Sequence, residues 1–165
     1  MHLFVDISSH GFGHLAITAP VLDALAAQIP GLRLTLRSSL PPAKLHQRIH
    51  TPFDLLHGST DFGYVMIDAT RIDLQASAAA YRAAHAGWAG RVAAESEFLA
   101  ELRPDVVLSN VSYLPLAGAA QAGIPALALC SLNWAAPIHA QMLAAYRSVQ
   151  RFLRVTPGMV MDQLG

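Results

Sequence analysis

The sequence predicts a three-layer Rossmann-like α/β domain, a mostly parallel sheet flanked by helices. Three observations predict it. Short apolar runs alternate with helical segments at close spacing, the rhythm of parallel strands joined by right-handed crossovers. The strand-like runs are apolar almost throughout, as expected of strands covered on both faces. A glycine-rich turn, Ser8-Ser9-His10-Gly11-Phe12-Gly13-His14, separates the first such run from the first helical segment.

The run from His2 to Ile7 is the first strand. The first helix is expected from His14 to Gln28, with Pro30-Gly31 stopping it and Pro20 placed to kink it. Leu32 to Leu36 forms a second strand, Ser38-Ser39 a turn, Pro42 to Ile49 a short helix and Phe53 to His57 a third strand. Gly58 to Ile72 breaks the rhythm, and its turn-rich Ser59-Thr60-Asp61-Phe62-Gly63-Tyr64 reads as a binding loop. One long alanine-rich helix is expected from Gln75 to Leu102, with Gly87 and Gly90 as points of bending or close packing and Trp88 in the core. Val106 to Asn110 is the next strand, and it ends in the polar cluster Ser109-Asn110-Val111-Ser112-Tyr113. The carboxyl ends of such strands are where open α/β sheets bind ligands. A helix from Leu114 to Ala122 leads to the strand Ala126 to Cys130 and the loop Ser131-Leu132-Asn133-Trp134. A last helix is expected from Pro137 to Leu153. One domain over residues 1–155 follows, with 156–165 as the start of a linker.

Composition narrows the function classes. The chain has 165 residues, 53% of them hydrophobic and 13% charged, enough for one well-buried core. Its formal net charge is zero and it has no basic stripe, which disfavours nucleic acid and anionic membrane surfaces as partners. The single cysteine, Cys130, has no partner for an internal disulfide and reads as a buried residue of a reducing cytoplasm. The first residues lack a basic leader, and the most apolar stretch, from Gly123 to Leu132, is about ten residues and too short to span a bilayer. None of the eight histidines stands at a metal-ligand spacing with a carboxylate or cysteine, so no metal and no cofactor are expected. His46 and His50, one helical turn apart, read as an exposed face. His57, His85 and His139 read as packing or solvated side chains.

Two kinds of chemistry are open to the glycine turn. Gly11 and Gly13 let a ligand approach the N-terminus of the first helix, and His10 and His14 supply two imidazoles suited to proton transfer near neutral pH. Glycine turns of this kind also occur where no chemistry is done, and His14 can equally serve to start the helix. His10, Gly11, Phe12, Gly13, Asp61, Ser112, Asn133 and Trp134 are the candidate binding residues by position.

Three stretches resemble the N-terminal domain of two-domain, GT-B type glycosyltransferases of the UDP-glycosyltransferase-like superfamily. Gly13-His14-Leu15 is similar to the glycine-histidine turn after the first strand, and the string from Ser8 to His14 to a subgroup with a serine-histidine-glycine-phenylalanine-glycine-histidine signature. Pro104-Asp105-Val106-Val107-Leu108-Ser109-Asn110 resembles the strand before the acceptor site. Gly118 to Pro125 resembles the helix-to-strand turn with its glycine-isoleucine-proline ending. The resemblance covers nearly the whole chain. It implies that His14 is a general base for an acceptor hydroxyl, oriented by the residue at position 110. Many members have an aspartate there. Asn110 can hold an imidazole but cannot stabilise its cation by charge, which leaves Asp61 as a candidate source of the carboxylate. In some relatives, such as the bacterial cell-wall N-acetylglucosaminyltransferase, the loop instead holds phosphate or acceptor.

The resemblance also implies that a nucleotide-sugar donor is held by a C-terminal domain that this chain lacks, so that the half alone is inactive without that domain or a partner polypeptide. A high apolar content fits an exposed inter-domain face, or association of two copies. The alternative is a module that binds a small molecule or a partner chain without chemistry. A nucleotide-binding Rossmann enzyme is a weaker reading. Ala16 takes the place of the third fingerprint glycine, and Arg33 and Arg37 stand where an acid would hold the ribose of NAD.

Overall fold

A computed structural model describes residues 1–68, 71–130 and 140–155. The strands are β1 (His2–Ile7), β2 (Arg33–Ser38), β3 (Asp54–His57), β4 (Val106–Asn110), β5 (Ala126–Cys130) and β6 (Arg151–Arg154). The helices are α1 (Phe12–Gln28), α2 (Pro42–Arg48), α3 (Leu74–His85), α4 (Trp88–Leu102), α5 (Leu114–Ala122) and α6 (Ala140–Arg147). The strands form one parallel sheet in the order β3-β2-β1-β4-β5-β6. This is the predicted α/β class.

Strand alternation divides the core in two. Leu3, Val5 and Ile7 of β1 pack with Leu15 and Leu22 of α1 and Leu45 of α2. Phe4, between them in sequence, faces the other way and packs with Leu99 of α4, Leu116 of α5 and Tyr146 of α6. All six residues of β1 are buried, so this central strand needs apolar or fully paired side chains on both faces.

Two expected helices are corrected. The segment expected as one helix from Gln75 to Leu102 is two. Gly87 adopts left-handed backbone (φ 67°, ψ 30°) between α3 and α4, while Gly90 stays inside α4. Trp88 is half-buried against the second core, as the sequence suggests. The last expected helix, Pro137 to Leu153, is described from Ala140 and ends at Arg147, after which Arg151–Arg154 adds a sixth strand to the edge of β5. Gln150 sets that edge: its backbone N–H donates to the Ala126 carbonyl at 3.0 Å, and its side-chain oxygen accepts from the Ala126 N–H at 2.5 Å. Residues 150–154 contain no helix breaker, so the strand is imposed by a neighbour remote in sequence. The expected linker, 156–165, lies outside the described residues.

Candidate functional site at the carboxyl edge of the sheet

Ile7 and Asn110 are paired in register at the carboxyl ends of the two central strands, and the Ser8 N–H donates to the Asn110 carbonyl at 3.3 Å. The glycine loop therefore leaves the sheet beside the end of β4. α1 begins at Phe12, two residues before the expected start, so His14 lies in its first turn.

There the structure brings together the two residues that the sequence singles out. His14 Nδ1 lies 2.9 Å from Asn110 Oδ1, across 96 residues of sequence. Asn110 is fully buried, and its Nδ2 donates to Thr18 Oγ1 at 2.8 Å and to the His14 carbonyl at 3.4 Å. Thr18 Oγ1 in turn donates to the His14 carbonyl at 2.8 Å. These partners leave Oδ1 as the acceptor, so the neutral His14 ring carries its hydrogen on Nδ1 and a lone pair on Nε2. Burial lowers the proton affinity of His14. The Asn110 hydrogen bond and the Asp61 charge oppose that effect, and His10 adds to it.

The end of β4 is held by an unusual turn. Val111 has φ 72°, a left-handed conformation that costs a β-branched residue about 1–3 kcal/mol. Two tethers hold the two peptide groups that follow it. The Tyr146 hydroxyl donates to the Val111 carbonyl, and Ser109 Oγ donates to the Ser112 carbonyl at 2.5 Å. The turn carries the chain from β4 into α5 directly after Asn110.

His10 and Asp61 meet on the other side of the loop. The Asp61 side chain is wholly buried and accepts from the Ser8 and Ser59 hydroxyls; its Oδ2 is 3.7 Å from His10 Nε2. The His10 side chain is 40% exposed, so solvent or a ligand can reach it. Its ring lies against Gly63, where an added Cβ would come within 2.3 Å. Asp61, the candidate carboxylate for His14, is thus in direct contact with His10.

The remaining predicted residues separate. Phe12 and His14 are two positions apart on α1, about 200° around its axis. Phe12, 55% exposed, looks with Gly13 and Ala16 into a groove of about 430 Å³ that Lys44, Gln47 and Arg48 of α2 close. That groove is on the opposite side of α1 from His14. Gly11 takes φ 150° and precedes α1 without a side-chain cap. Ser112 is buried, and its Oγ makes no hydrogen bond of ordinary geometry, although it stands close enough to Asp6 to lower that group's proton affinity. Asn133 and Trp134, and with them His139, lie outside the described residues. His85 packs as expected, stacked on Tyr113 and tilted against Tyr81 and Trp88, and accepts from the Tyr113 hydroxyl at 3.2 Å. His46 stacks on Phe53, and exposed His50 bonds Asp23 at 2.8 Å.

Sequence reasoning passes over one cluster. Arg37 of β2 donates from Nε to Asp6 Oδ2 at 2.6 Å and from both terminal nitrogens to Glu95 of α4 at 3.0 and 2.6 Å. Its guanidinium lies 5.0 and 5.2 Å from the ring centroids of Phe4 and Phe98. Burial raises the proton affinity of Asp6, and Arg37 opposes it. The available signal is an aspartate following the apolar run Leu3-Phe4-Val5 inside a fully buried strand. Among the described residues no group of three His, Cys, Asp or Glu side chains could hold a metal ion, and no helix is long and apolar enough to cross a membrane.

No protein-family model and no curated protein sequence matches the chain. Solved structures do match it in fold. MurG of Acinetobacter baumannii overlays 97% of this chain with 43% of its own length, at 17% identity and a TM-score of 0.55. The Arabidopsis thaliana protein UGT89C1, solved with UDP, overlays 92% of this chain with 44% of its own, at 16% identity and a TM-score of 0.53. The chain therefore shares the Rossmann-like fold of these proteins and spans under half of their length.

Proposed function

We propose that the chain is the acceptor-binding half of a glycosyltransferase, in which His14 takes the proton of an acceptor hydroxyl. The observation that carries this reading is the His14–Asn110 pair at the carboxyl edge of the sheet, with a tautomer that leaves Nε2 unprotonated. The fold shared with MurG and with UDP-bound UGT89C1 supports it. As the acceptor O–H bond breaks, the proton forms a bond to His14 Nε2. The oxygen keeps the electron pair and attacks the anomeric carbon of a nucleoside diphosphate sugar, and the nucleoside diphosphate departs with the pair of the broken anomeric C–O bond. Asn110 holds the ring in the reactive tautomer. The donor is brought by a C-terminal domain or by a partner chain, and this half by itself turns over no substrate. The reaction belongs to the reducing cytoplasm, in keeping with the single buried Cys130.

Thermal unfolding with separate panels of hydroxylated acceptors and nucleoside diphosphate sugars tests the assignment. A bound acceptor at a hundredfold excess over its Kd raises Tm by roughly 5–10 °C. Nucleotides alone leave Tm in place. If nucleotides stabilise the chain and acceptors do not, the reading is wrong and a nucleotide-binding Rossmann protein replaces it.

A further inference from the structure

Asn110 leaves the proposed base without a carboxylate on its own hydrogen bond, and the structure holds one nearby. The Asp61 side chain is fully buried, bonded by the Ser8 and Ser59 hydroxyls and 3.7 Å from His10 Nε2. Ser8 connects it to the other imidazole. Its hydroxyl is on Asp61, its N–H is on the Asn110 carbonyl, and the Asn110 side chain is on His14. One carboxylate thus touches His10 and is linked to His14 through Ser8 and Asn110.

We propose that Asp61 is the common counter-ion of His10 and His14, so that the site carries one proton shared between two imidazoles rather than a private acid–base pair. The inference rests on the reading of His14 as the proton acceptor and extends it. When His14 takes a proton, Asp61 offsets the new charge, and the proton of His10 is released to solvent through its exposed face. The opposite signs of the two neighbours fit this arrangement, since Asp61 raises the proton affinity of His14 and His10 lowers it. Other titratable groups around Asp61 are Asp6 of β1, already paired with Arg37, and Tyr113 beyond β4. Neither supplies a second counter-ion.

Imidazole resonances of the labelled chain, followed across the histidine range without ligand, test this. Asp61→Asn lowers the His14 midpoint by roughly one unit, and His10→Gln raises it by a smaller amount. Asn110→Asp, added to Asp61→Asn, restores it, because either carboxylate serves. In the unaltered chain the Asp61 carboxyl carbon follows the titration of both rings, a measurement that needs no variant to fold. A His14 midpoint unmoved by Asp61→Asn, or moved in the same direction by both single variants, overturns the proposal. So does an Asp61 carboxyl resonance that ignores the imidazoles. These titrations need no acceptor. A chain that shows the coupling yet binds no acceptor refutes the glycosyltransferase reading and leaves the shared proton intact.

Discussion

Two buried carboxylates stand next to each other in the structure and do different things. Asp6 accepts from Thr60 Oγ1 at 3.2 Å, and the next residue, Asp61, accepts from Ser8. Asp6 faces Arg37, a cation at every accessible pH, which is held by Glu95 and by two aromatic faces. Asp61 faces the imidazole of His10, whose side chain is 40% exposed. The first cluster is closed and tethers α4 to the sheet. The second is open at His10 and leads to His14. A permanent, fully paired cation makes structure, whereas a reachable imidazole leaves the second cluster open to solvent or a ligand, which is why we place the proposed proton chemistry there.

That contrast can be broken where it is strongest. Arg37→Met leaves Asp6 and Glu95 buried without their cation and costs about 3–5 kcal/mol in chemical denaturation. A loss under about 1 kcal/mol would show that the closed cluster does not hold the fold. Gly118→Ala sharpens the same point through packing. A Cβ there would meet Glu95 Cγ at 2.5 Å and Cβ at 2.9 Å. Arg37 pins the Glu95 side chain, so the contact cannot relax freely and unfolding registers a loss of about 1–3 kcal/mol.

The smallest effect belongs to the open cluster. The proton affinity of folded His14 is below the ordinary value of 6.5, so the unfolded chain binds more protons and acid favours unfolding. Stability is unaffected above that value, falls as the pH drops from 6.5 to the lowered midpoint, and is level below it. Unfolding midpoints measured against pH show a weaker acid dependence in His14→Gln. Part of the dependence remains, because burial and Arg33 lower His2 as well.

Much of this site was legible before the fold was known, for chemical reasons. Glycine and histidine at 11, 13 and 14 mark a turn, a close approach and an imidazole within one short string, and Asn110 ends a strand recognisable by its apolar run. The pairing of His10 with Asp61 was not legible, because 51 residues separate them and only the path of the loop after β3 brings the carboxylate under Ser8. Phe12 looked like a neighbour of His14 in the string. The helix, starting at Phe12, turns the two to opposite sides.

Local pattern alone determined the α/β class, the places of the first five strands and the position of the glycine turn, since each depends on the preferences of adjacent residues. Tertiary structure decided the rest. β6 exists because β5 offers an unpaired edge, and the break at Gly87 lets α3 and α4 pack separately. Arg37 is largely withdrawn from solvent only because Asp6 and Glu95, 31 and 58 residues away, arrive to pair with it. Desolvating a charge costs more than any local preference supplies, so such groups take their places only when the folded chain delivers every partner together.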